Sequence, residues 1–189
     1  MGESTLQDFP QLETERLQLI HISNGHQEDL LKLFGDDRVV RFYNLKPFKT
    51  TEDSKRLIQY FESRFLEKKA VRWGIGLKNQ KGIIGTIGYN NFSKNHRANI
   101  GFDLQPAFWG KGIMKEVLAK VLDFGFHELE INRVEGEVMK GNIQSMKLLE
   151  RFSFKKEGLL KDWMYWNERH FDMWMYALIK KEYMTNSAV

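Results

Sequence analysis

IGFDLQPAFWGKGIMKE, residues 100–116, changes period halfway along. Ile100 to Leu104 is the short apolar run of a buried strand, Pro106 stops it, and from Ile113 the apolar residues fall at helical spacing. Gly110 and Gly112 lie in the turn between them. Strand, glycine turn and helix start therefore follow one another, leaving the amides of Gly110, Lys111, Gly112, Ile113 and Met114 at the end of a sheet. First-turn amides have no intrahelical acceptor, the helix dipole favours negative charge there, and glycine lets a ligand approach the main chain. The stretch reads as a phosphate-binding device, although a plain turn before a helix uses the same residues. Neither GxxxxGK[ST] nor GxGxxG is present, which removes the P-loop and the dinucleotide fingerprint.

Upstream, Leu17, Leu19 and His21 alternate with Arg16, Gln18 and Ile20 in a first strand. Ser23 or Asn24 caps a helix carrying Leu30, Leu31, Leu33 and Phe34 that stops at Gly35, and a turn-rich stretch runs through Pro47. Thr50 and Asp53 open a second helix with the stripe Leu57, Ile58, Phe61 and Phe65. Residues 72–77 and 83–92 flank KNQKG as a hairpin, and the Ile100 strand continues that antiparallel sheet. Downstream, the glycine-led helix runs through Val117, Val121 and Phe124 toward Leu129, and residues 133–138 form the next strand, parallel to the first across the helix. A helix over 142–152 and strands around a turn at 167–170 complete the chain. The expected organisation is α+β with a late βαβ unit: a polar arm over 1–11, one domain over 12–184 and a tail over 185–189.

The chain has 189 residues, 42% of them hydrophobic, which suits one core better than two domains. Its net charge of +4 is dispersed, with no basic block, so nucleic acid is not an expected partner. Without cysteine there is no disulfide, thiol nucleophile or cysteine zinc site. No apolar leader or membrane span is visible, so a cytoplasmic, membrane-free protein is expected, as monomer or homodimer. The five histidines show no ligand spacing, and no metal is expected.

WGKGIMKE resembles motif A of the GNAT acetyltransferase superfamily, Q/R-x-x-G-x-G/A, in the form with a leading Trp found in its RimJ/RimL-like branch. Gly110, Lys111 and Gly112 fit the centre, while Trp109 stands for the Gln/Arg and Met114 for the final Gly/Ala. LETERLQLI, from Leu12, is similar to the opening of the same branch. Residues 141–154, GNIQSMKLLERFSF, resemble N-x-x-S-x-x-L-x-E-K-x-G-F, with Arg151 for Lys and Ser153 for Gly. The resemblance runs from about Leu12 to Tyr183. It implies the GNAT fold: a mixed central sheet splayed between the motif A strand and the following parallel strand, flanked by helices. It also implies acetyl-CoA as cosubstrate, with Leu104, Trp109, Gly110, Lys111, Gly112, Ile113, Met114, Asn142 and Arg151 as its contacts.

Acyl transfer from a thioester to an amine needs a neutral nucleophile, a stabilised oxyanion and a proton for the leaving thiolate. In RimI-like relatives the acid is a tyrosine at the position of Leu149; its absence here moves that role to Ser145, for which an ordinary helical serine is the plain alternative. Glutamate precedes the motif asparagine in the same relatives, and Glu137 matches it, facing either a cleft or water. Asp103, Asp162, Tyr165 and Asp172 are rival bases, and Asn142 fits helix capping as well as cofactor contact. An α-amine has a pKa of about 7.8 against about 10.4 for lysine, roughly 3.5 kcal/mol easier to deprotonate. The expected activity is N-acetyl transfer by direct attack in a ternary complex, with a protein or peptide α-amine as acceptor. A small amine, or an acyl-CoA-binding module without catalysis, is the alternative. Tyr43 and Trp166 are the expected acceptor contacts, most of the aromatic tail being sheet packing.

Overall fold

The computed structural model describes residues 8–93 and 96–187; the first seven residues of the expected arm and the last two of the tail lie outside them. Eight strands form one sheet: β1 (Leu12–Glu13), β2 (Leu17–His21), β3 (Val71–Leu77), β4 (Gly85–Ser93), β5 (Arg97–Leu104), β6 (Arg133–Met139), β7 (Lys155–Trp166) and β8 (Arg169–Ile179). Their order is β1-β2-β3-β4-β5-β6-β8-β7. All neighbours are antiparallel except β5 and β6. The helices are α1 (Gln27–Phe34), α2 (Asp37–Val40), α3 (Thr51–Leu66), α4 (Ile113–His127), α5 (Ile143–Arg151) and α6 (Lys180–Ser187). The α+β expectation, with one parallel crossover through the glycine-led helix, therefore holds.

Two apolar layers sandwich the sheet. α4 buries Ile113, Val117, Leu118, Val121, Leu122 and Phe126 against Trp73, Ile87, Tyr89, Ile100 and Val134, and α5 adds Leu149 to the same cluster. Each such side chain removed from water contributes about 1.5–3 kcal/mol, so this layer dominates the stability of the fold. On the other face α1 and α3 cover Ile22 and Ile83 with Leu30, Leu33, Phe34 and Ile58. The buried residues of that second cluster come from none of β6, β7 and β8, although Met139, Met173 and Ala177 on the same face are buried as well.

Two differences from the sequence expectation follow from local chemistry. The stretch after Gly35 holds a helical turn, α2, because Asp36 caps it by accepting the Arg38 amide at 2.9 Å. The arm is not wholly polar in its behaviour: Phe9 packs edge-on against His21 and Trp73, and the Trp73 indole donates to the Pro10 carbonyl at 2.6 Å. The chain stays helical through Ser187.

Candidate functional site

β5 and β6 pair only where Arg97–Asn99 meets Arg133–Glu135. Beyond that point β5 runs on to Leu104 and β6 to Met139 without pairing, and a gap opens between them. The Gln105 amide donates to the Ile84 carbonyl of the β4 side at 2.9 Å. Main-chain groups alternate sides along a strand, so those of Leu104 face the gap. Its carbonyl accepts the Trp109 indole N–H at 2.7 Å, which leaves the Leu104 amide as the donor there.

At the end of β5 the chain turns through Gly110 and Gly112, at φ 73° and 75°, into α4. A β-carbon at Gly110 would meet nothing within 4 Å, and one at Gly112 only Arg16 Nη2 at 3.8 Å. Space therefore does not demand glycine; the left-handed backbone does. The turn is fixed from outside by Arg16, whose guanidinium donates to the Lys111 carbonyl (3.3 Å) and to Glu116 Oε2 (2.7 Å). Glu116 also accepts the Thr14 hydroxyl at 2.5 Å and the Arg16 amide at 3.0 Å. The first-turn amides of α4 beside an open, glycine-lined surface fit a pyrophosphate group. Trp109 fits it less: its indole holds Leu104 and its amide donates to the Pro106 carbonyl at 3.2 Å. The Lys111 ammonium lies 5.3 Å over the Phe108 ring, and Arg151 is exposed at the end of α5.

Asn142 caps α5 by accepting the Ser145 amide at 3.3 Å. Ser145 is half-buried in the first turn of that helix, and Leu149 is buried where Gly136 leaves room for it. Gly136, Val134 and Val138 face α4 and α5, so Glu137 points to the opposite face. There its carboxylate accepts two N–H donors, Trp163 Nε1 at 2.8 Å and Asn99 Nδ2 at 3.2 Å.

Irregular strands supply both holders. In β7 the register slips so that Lys161, Asp162 and Trp163 lie opposite Asp172 alone, whose carboxylate accepts the Asp162 amide at 3.1 Å. Asp162 takes the left-handed φ of 52°, and Trp163 is turned onto Glu137. In β4 the register shifts between Tyr89 and Asn91, and the extra residue, Asn90, donates to Asn99 at 3.3 Å and accepts from Arg72 at 2.8 Å. Arg72 is ion-paired with Asp103, both nearly fully buried, and Thr86 bonds each partner. Burial pushes the Asp103 carboxyl up, opposed by the Arg72 charge and by the Thr86, Tyr43 and Arg72 hydrogen bonds. A polar row thus runs from Glu137 through Asn99 and Asn90 to Arg72 and Asp103.

The segment after α2 roofs this row. Tyr43 donates to Asp103 Oδ2 at 3.2 Å, and Phe42 lies 3.8 Å from where a Gly141 β-carbon would sit, in the turn between β6 and α5. The Tyr43 hydroxyl, whose pKa burial pushes up, is thus engaged by protein, and its ring packs edge-on against Phe34. Trp166 is about 10 Å along β7 from Trp163 at strand spacing and lines a cavity of about 390 Å³ with Asp37, Arg38, Arg41 and Lys46. Sequence reasoning missed Arg16, Glu116 and Asn99 as parts of the site and had Trp163 only among the tail aromatics, since each acts through a partner far along the chain. Of the rival bases, Asp103 is ion-paired and buried, and Asp172 holds the β7 bulge. Asp162 lies in that bulge, and Tyr165 is exposed beside His170. Among the described residues no cluster of His, Asp and Glu suits a metal ion, and no helix is long and apolar enough to cross a membrane.

The model of the acetyltransferase (GNAT) domain matches residues 16–155. The chain is 37% identical to N-acetyltransferase YoaA of Bacillus subtilis (strain 168) over 173 residues, 91% of this chain and 98% of that one. It is 30% identical over 97 residues, half of each chain, to the [ribosomal protein uS5]-alanine N-acetyltransferase of Escherichia coli (strain K12). Among solved structures it superposes on RimL, the ribosomal L7/L12 α-N-protein acetyltransferase in complex with coenzyme A. That superposition has a TM-score of 0.80 at 23% identity and covers 92% of this chain and 99% of that one.

Proposed function

The chain belongs to the GNAT acetyltransferase family, and from that membership we propose that it transfers the acetyl group of acetyl-CoA to the α-amine of a protein or peptide, with both substrates bound together. It is an acetyl-CoA-dependent N-acetyltransferase of the RimJ/RimL-like kind. The observation that carries the acceptor half is Glu137, held by Trp163 and Asn99 on the side of the β5–β6 gap opposite the α4 amides.

Acetyl-CoA supplies an acetyl group activated as a thioester. The amides of Gly112, Ile113 and Met114 hold its pyrophosphate, and the Leu104 amide and Asn142 lie along the gap that takes its pantetheine arm. Glu137 removes a proton from the acceptor ammonium, directly or through one water, so that the nitrogen lone pair can form the new C–N bond. The Leu104 amide is the donor for the oxygen that gains charge, and the Ser145 hydroxyl passes a proton to sulfur as the C–S bond breaks, its own being replaced by the second proton that nitrogen loses. An α-amine is the acceptor best matched to a half-exposed carboxylate base, because it deprotonates about 3.5 kcal/mol more readily than lysine. The surroundings also disfavour a polycation. Asp103 is neutralised by Arg72, and Glu135 by Arg133 at 2.7 Å and Arg97 at 3.6 Å, while Asp172 has Lys140 at 3.8 Å. Homology to the uS5-alanine enzyme points the same way.

The test is thiol release from acetyl-CoA with three acceptor sets: peptides with free N-termini, the same peptides N-blocked but carrying lysine, and small amines including spermidine and amino acids. Turnover is expected for the free N-termini, with a kcat/KM at least about tenfold above the other sets. Higher turnover of spermidine would overturn the peptide reading.

A further inference from the structure

The cavity beside Trp166 has a charge that the transfer chemistry does not use. Its ionisable lining is Arg38, Arg41 and Lys46 against Asp37. Arg38 is occupied, its guanidinium lying on both Asp36 oxygens at 2.9 and 2.6 Å. Arg41 rests 5.3 Å over the Phe42 ring. Among the described residues no carboxylate stands within ion-pair distance of Arg41 or Lys46, and both are exposed. Two cations on the short segment that roofs the site thus line a recess with an indole wall, ready for an anionic group.

Distance sets which anion can reach it. Trp163 binds the base, and Trp166 lies three positions further along the same strand, about 10 Å away at about 3.3 Å per residue. The carboxylate of a free amino acid, two bonds from its own amine, cannot span that. An extended peptide advances about 3.3–3.6 Å per residue, so its third or fourth residue arrives there when the N-terminal amine is at Glu137.

We propose that the enzyme selects peptide N-termini bearing Asp or Glu at the third or fourth residue, whose carboxylate is received by Arg41 and Lys46 beside Trp166. The inference rests on the peptide α-amine reading above.

The experiment walks a single Glu through positions two to five of an otherwise neutral Ala-led peptide, with Gln and Lys at the same places, and reads KM for each. For Glu against Gln at position three or four, KM is expected to be about fivefold lower, the worth of an exposed ion pair, with little effect at position two. In the R41E/K46E double variant the ratio of the two KM values should fall to one or invert in favour of Lys; using the ratio cancels any effect common to both peptides. A flat scan, or a preference for Lys in the unaltered enzyme, overturns the acidic-acceptor inference while leaving the peptide reading intact. If no peptide is turned over although small amines are, the peptide reading falls and takes this inference with it.

Discussion

Glu137 was readable as a candidate from its place before Asn142, but nothing local shows what holds it. The two N–H donors on its oxygens come from Trp163 and Asn99, distant in sequence. Replacing Glu137 by Gln keeps the size and removes the proton acceptor, so kcat should fall by about 10²-fold or more while coenzyme A affinity by calorimetry is unchanged. An unaltered pH–rate profile in that variant would exclude Glu137 as the base. Trp163→Phe keeps an aromatic ring and deletes the donor, so the carboxylate is less firmly placed; kcat should fall, by a smaller factor than in Glu137→Gln, with coenzyme A affinity unchanged. Tyr43 marks the limit of reading residues singly. It was expected at the acceptor, yet its hydroxyl serves the Arg72–Asp103 pair.

Elements were legible where their signals are local. The strand, the two glycines and the helix at residues 100–116 are encoded within that stretch, and so are the Thr50 cap and the α5 start. The bulges in β4 and β7 were not, since a bulge is a mismatch between two strands and neither strand alone announces it. α4 also contains a glycine with a packing reason. A β-carbon at Gly125 would lie 1.9 Å from the Tyr89 hydroxyl, which donates to the Val121 carbonyl at 2.9 Å. Despite alanine's better helix propensity, Gly125→Ala should destabilise by about 1–3 kcal/mol, seen as a Tm lower by about 3–10 °C. A rise in Tm would show that Tyr89 moves freely. At the other end of α4, burial pushes the Glu116 carboxyl up, but hydrogen bonds from Thr14 and Arg16 outweigh it and hold the group below its ordinary 4.5. A depressed folded-state pKa stabilises above the unfolded value and is lost as pH falls through the folded one. Between about pH 5 and pH 3 the unaltered protein should therefore lose more stability in urea titrations than Glu116→Gln. Equal losses would mean that the carboxylate does not anchor the motif turn.

Across the whole molecule, the sheet separates two kinds of chemistry. One face carries the helices whose amides suit a phosphate, and the other carries a polar row, roofed by residues 41–47, that suits an amine. Arg72 and Asp103 join the halves, being buried on β3 and β5 and tied to the roof through Tyr43. Asp103→Ala leaves a guanidinium buried without its charge partner and should cost about 3–5 kcal/mol, a Tm loss of about 10 °C that thermal unfolding would register. Fold class was legible because the βαβ crossover constrains topology strongly. The recess proposed for the acceptor was not, because it is assembled from α2, the roof and the β7 end, which meet only in three dimensions. Everything proposed for the acceptor presupposes that the α4 amides hold coenzyme A. Titration of coenzyme A into the folded protein by calorimetry tests this most directly. One-site saturable heat is expected, lost in Gly112→Asp, whose side chain brings negative charge and strain to a left-handed position; absence of heat from the unaltered protein at millimolar coenzyme A would contradict it.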